Sequence, residues 1–415
     1  MRTGLQLPND QQQDRGIGRR LMGGMVIFAI LLCHPVGITL AGSADNPLSL
    51  IGPKDALMVT SPDGAIVFSK NEKQKQVPAS ILKLLTALAA LHYLGPDFRF
   101  PTDFFIDSNQ DLKIKGYGDP LLISEIIDRI SRNLSGELSQ INNIILDDRY
   151  FSQPVLIPGR TASHQPYNAP NGALCANFNT VNFKVDNKGQ YTSAEKQTPL
   201  IPFVVKRLRA SRPQSGRIVF SHRNSENVLY TGHLFRHFLT QQGIHFRGTV
   251  KTGRVLPATD RLILRHVSSF NLETIISRLL EFSNNFIANQ LLIAVGAEVY
   301  GPPGNISKGV QATVDYAKNV LGLTDFNLVE GSGISRQNRI SALDMIQVLG
   351  AFEPFRHLMP QKGREYYKTG TLNGIRTRAG YIKRTRGGRY RFVVMMNTKG
   401  KSAKKVAQRL LKRLP

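Results

Sequence analysis

Three short stretches of the 415-residue chain hold the residue types from which a serine acyl-transfer site can be built: Ser80-Ile81-Leu82-Lys83, Ser283-Asn284-Asn285 and Lys368-Thr369-Gly370. A serine hydroxyl is a weak nucleophile until a neighbour takes its proton, and a lysine can be that neighbour only while its amine is neutral. Burial and nearby positive charge, which Lys368 can supply, both disfavour the ammonium form. Ser283 and Asn285 stand at alternate positions, so both side chains can face one cleft, the serine relaying a proton and the amide holding a substrate carbonyl. Lys368 and Thr369 offer donors to a substrate carboxylate, while Gly370 lets an extended substrate come close to the backbone.

Each stretch is weak on its own. The Ser-x-x-Lys spacing recurs at Ser193 with Lys196 and at Ser402 with Lys405, the Ser-x-Asn spacing at Ser131, Ser225 and Ser269, and Lys-Thr-Gly at Lys251-Thr252-Gly253. Setting separates the chosen set from these copies. Val77-Pro78-Ala79-Ser80 leads into residues 81–94, rich in Ala, Leu and Thr; this predicts a helix that starts at Ser80, with Pro78 at its first turn and Ser80 and Lys83 on one face. Ser193 lies in a polar stretch with no apolar face, and Ser402 lies close to the end of the chain. Lys251-Thr252-Gly253 precedes the Ser-x-Asn element and lacks the sheet-and-helix ending that follows Lys368.

The elements that must position these residues are legible in outline. Residues 55–60 and 65–69 flank Ser61-Pro62-Asp63-Gly64, which predicts a β-hairpin. From about residue 98 to 262 short strand-like runs, such as 112–115 and 143–146, alternate with Gly, Pro and Asn clusters and few helical stretches, which predicts an inserted β-rich module. Helical pattern returns at residues 271–281, 286–296 and 308–321, the last after the breaker Gly301-Pro302-Pro303-Gly304. Strands are expected at 365–369, 379–384 and 390–397, with a turn at Gly387-Gly388. A terminal helix over 402–414 places Ala403, Val406, Leu410 and Leu411 on one face. The expected organisation is therefore a signal peptide or N-terminal anchor at 1–44, an acyl-transfer domain built from 45–98 and 263–415, and the inserted module at 99–262.

Apolar residues at 41% and charged residues at 20% exclude a fibrous or largely disordered chain. Arg15, Arg19 and Arg20 precede an apolar run over residues 21–40 that ends in Ala41, Gly42, Ser43 and Ala44, the pattern of an export signal or an uncleaved anchor. Either places the remainder in the periplasm or cell envelope. Of the two cysteines, Cys33 falls in the signal, so Cys175 has no partner in a cleaved product and redox chemistry is not indicated. The formal net charge is +25, and residues 361–415 hold 17 Lys or Arg against the single acid Glu365. In an exported chain this basic C-terminal region points to an anionic cell-wall polymer or a membrane surface, and no nucleic acid is expected. The nine histidines show no ligand-like spacing, so neither a metal nor a cofactor is expected.

With the three motifs stand Gly116-Tyr117-Gly118-Asp119-Pro120, Tyr167-Asn168-Ala169-Pro170, Asn177-Phe178-Asn179, Gly331-Ser332-Gly333-Ile334-Ser335-Arg336 and Lys368-Thr369-Gly370-Thr371-Leu372 with Ala379-Gly380-Tyr381. In this order they make the chain similar to the penicillin-binding protein 4-like D-Ala-D-Ala carboxypeptidase/endopeptidases, the class C low-molecular-mass penicillin-binding proteins. The resemblance implies an α+β fold, a penicillin-binding/β-lactamase-like transpeptidase domain with an antiparallel sheet flanked by helices and an inserted β-rich module. It implies Ser80 as the acylated nucleophile, Lys83 as general base and Ser283 as proton shuttle. Asn285, Lys368, Thr369, Gly370 and Thr371 would bind substrate, with the backbone amides of Ser80 and Thr371 as the oxyanion hole. It implies peptidoglycan peptides as substrates and β-lactam antibiotics as inhibitors. The chain departs from the family pattern at Asn284 and Glu330, where Asp is usual, and at Arg376 and Arg378, where smaller or apolar residues are frequent. Two added cations beside the substrate strand are expected to bear on which peptide enters. A serine β-lactamase or esterase of the same fold, and a non-catalytic wall-binding protein, remain as alternatives at this point.

Overall fold

The computed structural model describes residues 45–415, so the expected signal or anchor over residues 1–44 lies outside the described residues. Strand β1 (Asp55–Thr60) is buried at all six positions, a pattern that requires cover on both faces of its sheet. It pairs with β2 (Ile66–Lys70) as the expected hairpin, and the far end of the chain adds β3 (Gln361–Lys362), β4 (Glu365–Leu372), β5 (Ile375–Lys383) and β6 (Arg389–Met396). The order is β3-β4-β5-β6-β1-β2, antiparallel throughout.

The cover comes from helices α1 (Lys83–Leu94), α2 (Leu272–Phe282), α3 (Asn285–Tyr300), α4 (Ile306–Asn319), α5 (Ala342–Phe352) and α6 (Ala403–Arg413). Alternate residues of β1 and β6 divide between the two faces, as strand geometry dictates. Ala56, Met58, Val393 and Met395 join the cluster containing α1, α3 and α5, whereas Leu57, Val59, Phe392 and Val394 pack with Val406 and Leu410 of α6. Helix α1 is buried from Lys83 to Leu91, as a helix apolar all round must be, and Lys83 is its only charged residue in that span.

Residues between α1 and α2 pack around a separate cluster that includes Phe104, Ile127, Leu146, Phe183 and Phe235. Five strands form one sheet there in the order Val250–Thr252, Ile144–Asp147, Leu112–Gly116, Pro101–Ile106, Arg261–Val267. The same stretch contains three α-helices, Ser124–Ser135, Pro202–Ser211 and Asn224–Gln241, where few were expected. The longest of these carries Asn227, Tyr230, Thr231 and Gly232, poor helix formers whose burial against the sheet offsets their weak local preference.

Helix α5 is tied to the sheet by Tyr381, whose buried hydroxyl donates to the Leu349 carbonyl at 2.6 Å. Tyr381→Phe is expected to lower stability by about 1–2 kcal/mol by leaving that carbonyl unpartnered. Urea unfolding checks this, the slope staying constant while the midpoint falls; an unchanged midpoint would contradict the role given to the hydroxyl.

Candidate active site

Ser80 does not open the α-helix. It sits in a 3-10 turn, Ala79–Leu82, from which the chain passes into α1 at Lys83. This corrects the expected helix start, and it sharpens the geometry, because residues three apart eclipse one another in a 3-10 turn. Ser80 Oγ and Lys83 Nζ lie 2.9 Å apart.

The turn is clamped from several sides. Ala79 adopts a left-handed conformation at φ 49°, unfavourable for a residue with a Cβ and sustained only by its surroundings. Asn397 accepts from the Val77 amide at 2.9 Å and donates to its carbonyl, and Thr377 Oγ1 donates to the Pro78 carbonyl at 2.7 Å. Gly370 and Gly333 press on the turn itself. A Cβ on Gly370 would stand 2.7 Å from the Ser80 amide nitrogen, and one on Gly333 would strike the Ala79 carbonyl group. Only bare backbone fits between these segments and the Ala79-Ser80 turn.

Lys83 is fully buried, and its amine contacts three oxygens: Ser80 Oγ, Asn285 Oδ1 at 2.7 Å and the Ser332 carbonyl at 2.7 Å. No carboxylate is among them. Burial, followed by the charge of Lys368, drives its pKa well below the lysine range against a smaller opposing pull from Glu330. Asn285 is oriented by its other amide atom, which donates to the Tyr167 carbonyl at 3.2 Å.

Ser283 and Asn285 straddle a helix junction. Ser283 ends α2 in a left-handed conformation, and Asn284 caps α3 by accepting from the Ile287 amide. The junction points Ser283 Oγ at Lys368 Nζ, 2.7 Å away, while Asn285 reaches Lys83. Lys368 is buried on β4, and desolvation lowers its pKa to about 8. Thr369 and Thr371 are exposed on the same strand. Ser80, Lys83, Ser283, Asn285, Lys368 and Gly370 thus come together from three separate parts of the chain. Beside Ser283 and Asn285 a cavity of about 700 Å³ opens between Tyr167, Phe178, Phe270, Phe282 and Phe286.

The rival motifs lie in other settings. Ser193 ends a short strand, Ser402 caps α6, and Lys251 and Thr252 are exposed in the five-stranded sheet. Arg378 is not a loose cation at the cleft. It forms a two-pronged ion pair with Glu365 and stacks on Tyr367 at 3.7 Å, on the sheet face away from Lys368. Arg376 is exposed and donates to the Leu372 and Ile375 carbonyls.

Glu330, noticed in the sequence only as a departure, is a structural hub. Its buried carboxylate accepts from the amides of Ser332 and Gly333, the Ser332 hydroxyl, and the side chains of Asn289 and Asn338. It thereby holds the loop whose Ser332 carbonyl receives Lys83. Nothing in the local sequence marks this role, since Asn289 and Asn338 arrive from different elements.

An antiparallel sheet backed by α1, with Ser80, Lys83, Ser283 and Lys368 around one cleft, has the architecture of the penicillin-binding and β-lactamase-like proteins. The D-Ala-D-Ala carboxypeptidase 3 (S13) family matches residues 45–214 and 206–358, and the chain belongs to that family. A β-lactamase enzyme family also matches residues 317–414. A D-alanyl-D-alanine carboxypeptidase of Actinomadura is 28% identical over 343 residues, 71% of this chain and 63% of that protein. A second, from Haemophilus influenzae, is 27% identical over 40% of each chain, so both matches span less than two thirds of the relative. The crystal structure of penicillin binding protein 4 from Haemophilus influenzae superposes with a TM-score of 0.69 at 19% identity, over 88% of this chain and 97% of that one.

Glu330→Gln replaces one acceptor oxygen with a donor facing donors. It is expected to lower stability by roughly 3 kcal/mol, the scale of hydrogen bonds to a buried charge, and to slow acylation of Ser80. Thermal unfolding and β-lactam acylation kinetics on the same preparation check it; parental values for both would remove Glu330 from the site's support.

Proposed function

We propose that the chain is a serine DD-peptidase that hydrolyses the D-Ala-D-Ala bond of peptidoglycan stem peptides, and D-Ala cross-links as an endopeptidase, in the cell envelope. The observation that carries the reading is the set of partners around Lys83. The Asn285 and Ser332 oxygens are carbonyl oxygens and can only accept. A neutral amine gives its two hydrogens to them and turns its lone pair to Ser80, whose hydroxyl then donates to Lys83. Attack of Ser80 Oγ on the penultimate D-alanine carbonyl forms the ester while the proton passes to Lys83, and the leaving amine takes a proton on departure, with Ser283 as relay. Water then cleaves the ester by the reverse sequence. Lys368, Thr369 and Thr371 receive the substrate carboxylate, Asn285 binds the acyl-side amide, and the amides of Ser80 and Thr371 stabilise the oxyanion.

In this reading residues 45–98 and 263–415 carry the chemistry and 99–262 form the inserted module. β-Lactams act as substrate mimics, and a fluorescent penicillin is expected to label Ser80, with labelling absent in Ser80→Ala. Rapid turnover of the adduct would instead favour the β-lactamase reading, and absence of any adduct on the folded chain would defeat both.

The pH profile follows from the two lysines. Acid protonates Lys83, removing the base, so kcat/KM falls as pH drops. Lys368 is depressed to about 8, so above that pH it loses the charge that holds a carboxylate, and kcat/KM falls again. Lys368→Arg is expected to move the alkaline limb upward and leave the acid limb in place; an alkaline limb that does not respond would separate Lys368 from substrate binding.

A further inference from the structure

The tip of the β4–β5 hairpin, Asn373-Gly374, borders a cleft of about 380 Å³ that no step of the proposed reaction uses. Lys54 precedes β1, Lys75 precedes the Ser80 turn, Arg336 and Arg339 leave the Gly-Ser-Gly loop, and Lys399 follows β6, so the fold gathers cations from four separate segments. No aspartate or glutamate lines it. Of these five side chains only Lys75 forms an ion pair among the described residues, with Asp325, and both partners are well exposed. Arg336 and Arg339 are oriented by hydrogen bonds to the Asn373 and Arg336 carbonyls, and each guanidinium keeps further N–H donors.

The C-terminal basicity seen in the sequence is dispersed by comparison. Arg378 pairs with Glu365, Arg389 and Arg391 with Glu353, and Lys401 with Asp55, while Arg364 is spent on the Leu411 and Leu414 carbonyls. A concave wall of one sign focuses potential far more than scattered surface charge. Cations that converge from several directions suit the tetrahedral oxygens of a phosphate.

We infer that this cleft binds phosphodiester groups of an anionic wall polymer. Val77 and Ile375 line it and also pack against Ala79, the residue before Ser80, so a polymer seated there lies beside the catalytic turn. The inference rests on the peptidase reading only for that consequence. The polymer then holds the enzyme on the wall with its cleft next to neighbouring peptides.

The test is calorimetric titration of the full chain with a short polyphosphate at rising salt. The parent is expected to bind, more weakly as salt rises. Lys54→Gln/Arg339→Gln/Lys399→Gln is expected to bind about tenfold more weakly, with a salt slope smaller by about one for each cation removed. Lys54→Gln alone, at an exposed position, is expected to lose about threefold. Lys404→Gln/Lys405→Gln/Lys412→Gln on α6 serves as the matched control and is expected to bind as the parent does. Penicillin labelling of Ser80 at the parental rate reports that each variant is folded; its absence from the parent would overturn the peptidase reading and leave the titration intact. No binding by the parent, or equal loss in both triple variants, overturns the site. So does binding to phosphatidylglycerol vesicles that the α6 variant loses and the cleft variant keeps.

Discussion

An amine taken out of water with no carboxylate at hydrogen-bonding distance has little means of staying charged. Lys83 is in that position, fully buried at the start of α1 with one hydroxyl and two carbonyl oxygens around it. In a solvated lysine the proton would stay on nitrogen and Ser80 would remain an ordinary alcohol. The burial that makes Lys83 a poor site for charge is what the proposed role as base requires. The surrounding fold can be understood as whatever is needed to keep that amine dry and aimed.

Two kinds of support meet there. One is close backbone contact, in which Gly370 from β4 and Gly333 from the loop after α4 come against the Ala79-Ser80 turn with no room for a Cβ. The other is a buried anion placed one residue out of reach. Glu330 binds the amide and hydroxyl of Ser332, whose carbonyl faces Lys83, so its negative charge organises the acceptor without pairing with the amine. A direct ion pair would instead have pulled the pKa of Lys83 upward. Lys368 pushes in the opposite direction, lowering the pKa of Lys83, while burial lowers its own to about 8.

The side chains that converge on the cleft, Ser80, Lys83, Ser283, Asn285 and Lys368, were legible because the proposed chemistry restricts residue type and the chain presents them in order. The hairpin of β1 and β2, the three C-terminal strands and α6 were legible from turn residues and simple periodicity. What was hidden depends on pairing across the fold. The 3-10 turn at Ser80 shares its residues with an α-helix start, and only the left-handed Ala79 distinguishes them. The helix Asn224–Gln241 is stabilised by tertiary packing against local preference. Arg378 could be recognised as the partner of Glu365 and Tyr367, on the face opposite Lys368, only once the register of β4 against β5 was known. The hub at Glu330 needs Asn289 from α3 and Asn338 from beyond the loop, a meeting that no local pattern encodes.

The most direct test of this account is the protonation state of one nitrogen. Heteronuclear NMR of the lysine side chains, with Lys83 assigned by its loss in Lys83→Met, reports that state as pH is varied. A neutral Lys83 at neutral pH, titrating far below the usual lysine value of 10.5, is the predicted result. A transition in the ordinary lysine range would mean an ammonium beside Ser80, and the base assigned here would have to be sought elsewhere.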